Sequence, residues 1–354
     1  MNYNSALFLL FFTTTFTLYY LIRDAKWQVL LLVISSLIFY AWETPQLLLV
    51  FLTSWLITGL TSHATIQKIK NGEDAKSIAL AGVAANLALL CFFKYRVLVY
   101  DAELKSATNS IGDWLLMAPL PIGISFYTFH GISLLIDAWR GSTTIPSKDN
   151  VGDHLTKTLL YLVFFPQLIS GPLIKAKDFF PQVNAKRFTD IEFQSCFRLL
   201  VLGFFLKSVI ADNLSDQTYF ITYPYFLGRS SVDLFILLIG YSAQIFADFD
   251  GYSLIAIGLG KLLGYKLPDN FNYPYISASI AEFWRRWHIS LSSWLRDYLY
   301  IPLGGNKISE IRTHINLLIV MFLGGLWHGA AWSFAFWGLW HGIGLSIERY
   351  YSFS

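Results

Sequence analysis

The sequence predicts an all-α polytopic membrane protein. Of its 354 residues, 55% are hydrophobic and only 14% are charged, whereas soluble domains carry roughly 25% charged residues. The apolar residues form long uninterrupted runs, which favour membrane helices over the alternating pattern of a membrane β-barrel. Backbone groups in lipid must hydrogen-bond within their own segment, so each run is expected to be helical. The runs cover residues 5–22, 27–42, 46–62, 77–93, 155–172, 196–211, 232–247 and 315–347.

Lys and Arg in the short loops predict the orientation of these helices, because such residues accumulate on the cytoplasmic side. The stretch before residue 5 has neither, whereas the 23–26 and 61–76 loops are basic. We therefore expect these two loops in the cytoplasm and the N-terminus outside. The 94–113 loop is then expected outside, although it carries Lys94, Arg96 and Lys105. The loops account for the net charge of +3, so no nucleic-acid partner is expected.

The chain changes character near residue 113. Residues 1–113 have the composition of ordinary lipid-facing helices, and residues 114–354 form a core with interrupted helices. Pro166, Gly171 and Pro172, for example, fall within an otherwise apolar segment. Irregular backbone at membrane depth must be covered by protein or must line a water-filled cavity. The core is therefore predicted to enclose a cavity.

Ionisable side chains in this core are candidates for the cavity lining, since a charge at membrane depth usually faces a cavity or a partner. His130 and Asp137 lie two helical turns apart on one face, where they line the cavity or only satisfy neighbouring groups. Asp248 and Asp250 end an apolar run, and a cation site, a helix cap or a partner for a histidine all remain open. A metal site is disfavoured because no His or Cys ligands of recognised spacing lie nearby.

Residues 277–299 have the period of one amphipathic helix, aromatic on one side and basic on the other. Its charge favours an interfacial or cavity-lining position on the cytoplasmic side. His288 lies in this helix, within "RRWHIS". The surrounding Trp and Arg residues either anchor the helix among lipid headgroups or form a docking site for a phosphate-bearing group. The aromatic surroundings favour docking, with Arg285, Arg286 and Trp287 as the binding residues.

The five residues Gly-Leu-Trp-His-Gly occur twice within "GLWHGAAWSFAFWGLWHG". Small neighbours surround His328, which leaves room for a ligand and also permits close helix packing. A catalytic role and a hydrogen bond to a neighbouring helix are therefore both open for His328. His341 has bulkier neighbours, and the structural interpretation is favoured for it.

Several of these segments resemble the membrane-bound O-acyltransferase family, in particular its bacterial branch that is similar to alginate O-acetyltransferases. The resemblance spans roughly residues 115–345, and its most specific signal is the string from FWRRWH to LGGN at residues 283–306. Further matching segments are "PIGISFYTFHGISLLIDAWRG", "FFPQLISGPLIKAKDFFPQ" and the first WHG motif. Exopolysaccharides and other cell-envelope polymers are the acceptors associated with this branch.

The resemblance implies about ten transmembrane or re-entrant helices ringed around a central acyl-transfer cavity, in the bacterial cytoplasmic (inner) membrane. An acyl-CoA or acyl carrier protein thioester enters from the cytoplasm, with no bound cofactor or metal. The acceptor is a polysaccharide hydroxyl, or an extracytoplasmic acetyltransferase partner. The family's catalytic histidine matches His328, and its second characteristic histidine, in the cytoplasmic funnel, matches His288; we expect both to be catalytic residues. We expect the cavity to be lined by Asp248, Asp250, His130, Asn270 and Trp327.

Three features depart from the branch. Asp250 replaces a serine, His130 replaces a glutamine, and the chain ends at Ser354, so C-terminal helices of longer relatives are expected to be missing. Two alternatives to an enzyme also remain. Interrupted helices and intramembrane charges suit a transporter of polysaccharide or small molecules. Without the C-terminal helices, the chain could be an inactive membrane scaffold.

Overall fold

The computed structural model of the protein describes Met1 and residues 3–96, 118–142 and 150–353. These described residues form helices and contain no strand, which confirms the all-α class. Among them, four helical segments are long and apolar enough to cross a membrane: Pro45–Lys70, Lys76–Tyr95, Phe193–Ile221 and Ser231–Leu262.

The α-helices are numbered here in chain order. They are α1 (Ala6–Leu21), α2 (Ala25–Ala41), α3 (Leu48–Lys70), α4 (Lys76–Tyr95), α5 (Ile124–Trp139), α6 (Val151–Val163), α7 (Phe165–Leu168), α8 (Ala176–Phe179), α9 (Phe193–Phe204), α10 (Asp212–Thr218), α11 (Ser231–Leu262), α12 (Ile280–Arg286), α13 (Ile289–Leu295), α14 (Glu310–His328) and α15 (Trp332–Phe353). Two π-helical stretches, Phe205–Ala211 and Arg296–Tyr300, continue α9 and α13. Short 3-10 turns cover Pro45–Leu47, Phe180–Gln182, Phe188–Asp190, Tyr219–Ile221, Tyr225–Gly228 and Pro274–Ile276.

Buried polar side chains join α3, α4 and α5. Asn86 of α4 donates to Thr58 Oγ1 over 3.0 Å and accepts from Ser54 Oγ over 2.7 Å. Gly131 of α5 lies against the same site, where an added Cβ would come within 2.8 Å of Thr58 Oγ1. Interhelical hydrogen bonds and small residues are the usual means of packing helices in membranes. The N-terminal helices therefore pack onto the core through polar contacts and do not only face lipid.

Two apolar runs have different boundaries from those expected. The run predicted at 232–247 does not end at Asp248, because α11 continues through both aspartates to Leu262. The run predicted at 315–347 is two antiparallel helices, α14 and α15, separated by an extended Gly329. Both differences arise because hydropathy detects apolar length and does not detect where a backbone turns.

Residues 277–299 do not form the single amphipathic helix that their periodicity predicts. The helix ends at Arg286, Trp287 is extended, and His288 has a left-handed backbone with φ 45° before α13 begins. Conversely, α4 extends to Tyr95, so Lys94 lies in a helix and not in the loop expected to begin there. The predicted boundary between residues 113 and 114, and Lys105, lie outside the described residues.

Candidate active site

His328 is the last residue of α14 and lines a cavity of about 290 Å³ between α12, α13, α14 and α15. Its side chain is exposed, and its ring centroid lies 5.0 Å from that of Trp327 and 5.4 Å from that of Trp337. None of the described residues forms a hydrogen bond with this ring. We call this space the histidine cavity; other lining residues include Arg285, Ser292, Leu295, Arg296 and Met321.

His288 lies close to His328 but in a different environment. Its side chain is 1% exposed, and the two ring centroids are 6.3 Å apart. The Nδ1 atom is 2.9 Å from Asn270 Oδ1, an acceptor, so Nδ1 carries the proton of the neutral ring. The Nε2 atom is then left as an acceptor, and it is buried without a hydrogen-bond partner among the described residues.

The segment around Asn270 explains why the helix breaks at His288. The backbone carbonyl of Asn270 accepts from Ile289 N over 2.9 Å, and Asn272 N donates to the carbonyl of Arg286 over 3.0 Å. The Asn270 side chain also accepts from Ser290 and donates to Ser253. A left-handed residue other than glycine costs roughly 1–2 kcal/mol. These hydrogen bonds offset that cost and fix the imidazole of His288.

Of the three predicted donor-binding residues, the structure places Arg285 on the histidine cavity. Arg286 instead forms an ion pair with Glu282, with N–O distances of 2.7 and 2.8 Å, and donates to a backbone carbonyl. Trp287 stacks on Phe283 with ring centroids 5.5 Å apart. The second arginine on the cavity is Arg296, which was not assigned to the site from the sequence.

None of the five predicted cavity-lining residues lines the histidine cavity itself. Trp327 and Asn270 lie behind it: Trp327 contacts both histidine rings, at 5.0 and 5.7 Å between ring centroids, and Asn270 bonds to His288. Their contribution is therefore to position the two imidazoles.

The other three predicted residues lie elsewhere. Asp248 forms an ion pair with Lys207 over 2.7 Å, because its neighbour Phe249 takes the helix face that contacts His288. Asp250 is half-buried on the same helix. His130 is buried against Tyr161, with ring centroids 5.0 Å apart. Asp137, which shares a helix face with His130, accepts a hydrogen bond from the Tyr298 hydroxyl over 2.9 Å.

Lys94 is a residue of the site region that the sequence reasoning missed. It is 7% exposed, and its Nζ donates to the backbone carbonyl of Trp327 and to Ser125 Oγ. The adjacent Tyr95 hydroxyl donates to the carbonyl of Leu326 over 2.8 Å. The end of α4 therefore holds the end of α14 in place. The sequence signal was present: Lys94 directly continues the apolar run that ends at residue 93.

His341 does not share the cavity of His328. Its ring centroid lies 4.9 Å from that of Trp337 and 5.1 Å from that of Trp284, so aromatic rings separate the two histidines. It lines a separate groove of about 590 Å³ with Tyr275, Phe283 and Trp340. This placement agrees with the structural interpretation, which stays a prediction. In the described part of the chain, no group of three or more His, Cys, Asp or Glu residues could hold a metal ion.

Comparison with known proteins decides the family. The sequence profile of the membrane-bound O-acyltransferase family matches residues 37–354. The chain belongs to this family. The resemblance inferred from the FWRRWH string and the first WHG motif is thereby confirmed.

The curated relatives of the chain are named for different polymers. It is 41% identical to the probable alginate O-acetylase AlgI of Pseudomonas aeruginosa over 99% of this chain and 66% of that protein. It is 34% identical to the peptidoglycan O-acetyltransferase of Helicobacter pylori, over 99% of this chain and 71% of the relative. Identity to the teichoic acid D-alanyltransferase of Bacillus subtilis is 30%, over 65% of this chain and 59% of the relative. The chain thus spans about two thirds of the length of these curated relatives.

Proposed function

We propose that the protein is an O-acyltransferase that moves an acetyl group from a cytoplasmic thioester to a hydroxyl at the opposite face of the membrane. The observation that carries this proposal is the position of His328, an exposed imidazole on a cavity that also presents Arg285 and Arg296. Family membership favours acyl transfer over the transporter and scaffold alternatives.

His328 acts as the general base in this proposal. A hydroxyl is a weak nucleophile at neutral pH and needs a base within hydrogen-bond reach. The imidazole removes the hydroxyl proton while the oxygen attacks the thioester carbonyl carbon. The new C–O ester bond forms, the C–S bond breaks, and the proton passes from His328 to the departing thiolate. General-base assistance of this kind accelerates reactions by about 10²–10⁴-fold.

His288 is a positioning residue and a second acceptor beside the reacting groups. Its Nδ1 donates to Asn270, and its Nε2 is a buried acceptor without a hydrogen-bond partner among the described residues. A neutral, fixed acceptor suits a reaction in which a hydroxyl or thiol proton moves, because the neutral imidazole of His288 can accept a hydrogen bond from that group. Trp327, in contact with both rings, keeps their separation constant.

Arg285 and Arg296 are the residues that we propose for donor binding. Coenzyme A and acyl carrier proteins both present phosphate on the thioester arm, and guanidinium groups form bidentate hydrogen bonds with phosphate. Both arginines line the cavity near its exposed side. The remaining wall is largely apolar, with Leu291, Val320 and Met321. Such a wall keeps water from the thioester and limits hydrolysis.

The names of the relatives support the proposed acceptor, and the loop charges support the proposed location. Relatives are named for alginate, peptidoglycan and teichoic acid, so we propose a cell-envelope polysaccharide, reached directly or through an extracytoplasmic acetyltransferase partner. We place the protein in the bacterial inner membrane with its N-terminus outside and its basic 23–26 and 61–76 loops in the cytoplasm.

The experiment compares the O-acetyl content of exported polysaccharide from cells that carry the wild type, His328→Gln or His341→Gln. Glutamine keeps the polar volume of each side chain but cannot act as a base. We expect His328→Gln to lose about 100-fold or more of the O-acetylation, and His341→Gln to stay near the wild type. Membrane levels of each variant are measured in parallel. Normal acetylation in His328→Gln cells would refute the catalytic assignment.

A further inference from the structure

A second polar pocket, of about 210 Å³, lies at the ends of α1 and α11 and shares no lining residue with the histidine cavity. Tyr20, next to the end of α1, forms one side. The segment 184–192 and the turn at 264–266 form the others. The pocket thus lies at the ends of two apolar helices, α1 at Leu21 and α11 at Leu262, where we expect the headgroups of a surrounding membrane.

The pocket carries excess positive charge. Four cations line it, together with the carboxylates of Asp190 and Glu192. Lys261 neutralises Glu192 through an ion pair of 2.5 Å. Three further cations, Lys186, Arg187 and Lys266, line the pocket together with one further carboxylate, Asp190.

The backbone beside these cations is held rigidly. Gln28, which is 1% exposed, accepts from Lys186 N over 2.8 Å and donates to Lys186 O over 2.9 Å. Gln182 binds the backbone of Lys266 in the same way, over 2.6 and 3.1 Å. Gly264 has φ +79°, and an added Cβ would lie 2.8 Å from Lys186 Cδ. The side chain of Lys186 therefore crosses the turn beside Gly264, and the backbones of Lys186 and Lys266 are fixed in advance of any ligand.

An apolar stripe begins at the rim of the pocket. The ring of Phe188 lies 5.8 Å from that of Tyr20 and 5.3 Å from that of Phe193, between centroids. From Phe193 the stripe continues along α9 through Phe197 and Val201, which are four residues apart and so share one helix face. These three side chains are 47%, 70% and 51% exposed. The stripe lies on a segment long enough to cross the membrane.

We propose that this pocket binds the phosphate headgroup of an anionic phospholipid, whose acyl chain lies along the Phe193–Val201 stripe. A free anion would use the cations alone, whereas a phospholipid uses the cations and the adjoining apolar face together. Basic pockets between membrane helices are suited to anionic headgroups. The site is independent of the proposed acyl-transfer chemistry, since it lies at a separate pocket.

The test reconstitutes the full chain in phosphatidylcholine nanodiscs that contain increasing phosphatidylglycerol and counts retained phosphatidylglycerol by native mass spectrometry. The variant is the triple substitution Lys186→Gln, Arg187→Gln and Lys266→Gln. The matched control makes the same charge change elsewhere, with Lys68→Gln, Lys70→Gln and Lys76→Gln. We expect the pocket variant to weaken retention by about tenfold or more, and the control to change it by less than about twofold. Equal losses in both would show a response to net charge and overturn the proposal.

Two further arms distinguish a lipid from a soluble anion. The first adds inorganic phosphate as a competitor, and the second compares long-chain with dihexanoyl phosphatidylglycerol in wild type and Phe197→Ser. We expect phosphate at millimolar concentration to compete poorly, and Phe197→Ser to weaken retention of the long-chain lipid only. Full displacement by phosphate with no effect of Phe197→Ser would assign the pocket to free phosphate and refute lipid binding. All substituted side chains are at least partly exposed, so folded protein is expected.

Discussion

The two Gly-Leu-Trp-His-Gly segments contain the same residues, but the fold surrounds them differently. Their leading glycines, Gly325 and Gly338, face each other where α14 and α15 cross. An added Cβ would collide with the backbone carbonyl of Phe334 in the first case and of Met321 in the second. Close helix packing therefore explains why both segments begin with glycine.

After the glycine, the segments diverge. Trp327 is 8% exposed and contacts the imidazoles of His288 and His328, whereas Trp340 is 75% exposed. His328 ends a helix and opens onto the histidine cavity, whereas His341 lies within α15 and lines a separate groove. A shared motif thus indicates shared helix packing, and the chemistry depends on what faces each histidine.

The largest expected difference is in chemical rescue. With His328→Ala, transfer activity in membranes should fall by about 10²–10⁴-fold, and added imidazole should restore part of it because the small base can enter the vacated space. With His341→Ala, activity should stay near the wild type and imidazole should have no effect. The measurement is the acetyl-transfer rate with and without imidazole. Rescue of His341→Ala but not of His328→Ala would reverse the assignment.

The tryptophans should differ in stability. Trp327→Ala removes a ring that packs against Phe126 and Phe129, with centroids 5.6 and 5.8 Å apart, and should lower the free energy of unfolding by about 3–5 kcal/mol. Trp340→Ala removes an exposed ring and should lower it by less than about 1 kcal/mol. Titration of the purified protein with SDS in detergent micelles measures both. Equal losses would mean that Trp340 is also covered by protein.

The leading glycines should behave alike, in contrast to the residues that follow them. Gly325→Ala and Gly338→Ala each force α14 and α15 apart, and each should lower the free energy of unfolding by about 1–3 kcal/mol. Because the two sites touch, the double variant should lose less than the sum of the single losses. The same SDS titration tests this, with Gly228→Ala as a control because its added Cβ meets no atom within 4 Å. A strictly additive double variant would argue against the crossing.

The contrast between the motifs also shows how much of the fold and of the site can be predicted from the sequence. Apolar runs predicted the helical membrane class, and the FWRRWH string with the first WHG predicted the family. Neither could reveal that Arg296 lines the cavity together with Arg285, because the break at His288 places these two residues on separate helices. Periodicity assumes an unbroken helix, and this break depends on a hydrogen bond to Asn270, eighteen residues earlier.

The sequence did not reveal the partners of Lys94 and Asp248, for a related reason. A charge at the edge of an apolar run can belong to a loop, a cavity or an ion pair, and the choice depends on a distant partner. For Lys94 the partner is the carbonyl of Trp327, and for Asp248 it is Lys207. One sequence contains both members of each pair but does not show that they meet.

The smallest expected effect concerns Arg296, which lines the histidine cavity together with His328. Asp297 is bound by Arg296 at 2.8 Å and by Lys175 at 2.5 Å. Partial burial alone would raise the pKa of Asp297, but these hydrogen bonds outweigh it and hold that pKa below its usual value. A folded-state pKa below the unfolded value of about 3.9 gives stability above that pH, which is lost as the pH falls through the folded pKa.

Asp297→Asn should therefore lower the free energy of unfolding at pH 7 by no more than about 1 kcal/mol. The difference from wild type should shrink as the pH falls towards about 3. Without the Asp297 carboxylate, Arg296 is no longer held in place and should bind the donor less well. The KM for the donor should therefore rise by about twofold, a factor that corresponds to a fraction of the energy of one hydrogen bond. Glu310→Gln is the control, since it breaks the Arg349 ion pair at the far end of α15. If Glu310→Gln raised the donor KM equally, the effect would not be specific to Arg296. Donor binding would then no longer distinguish the cavity of His328 from the groove of His341.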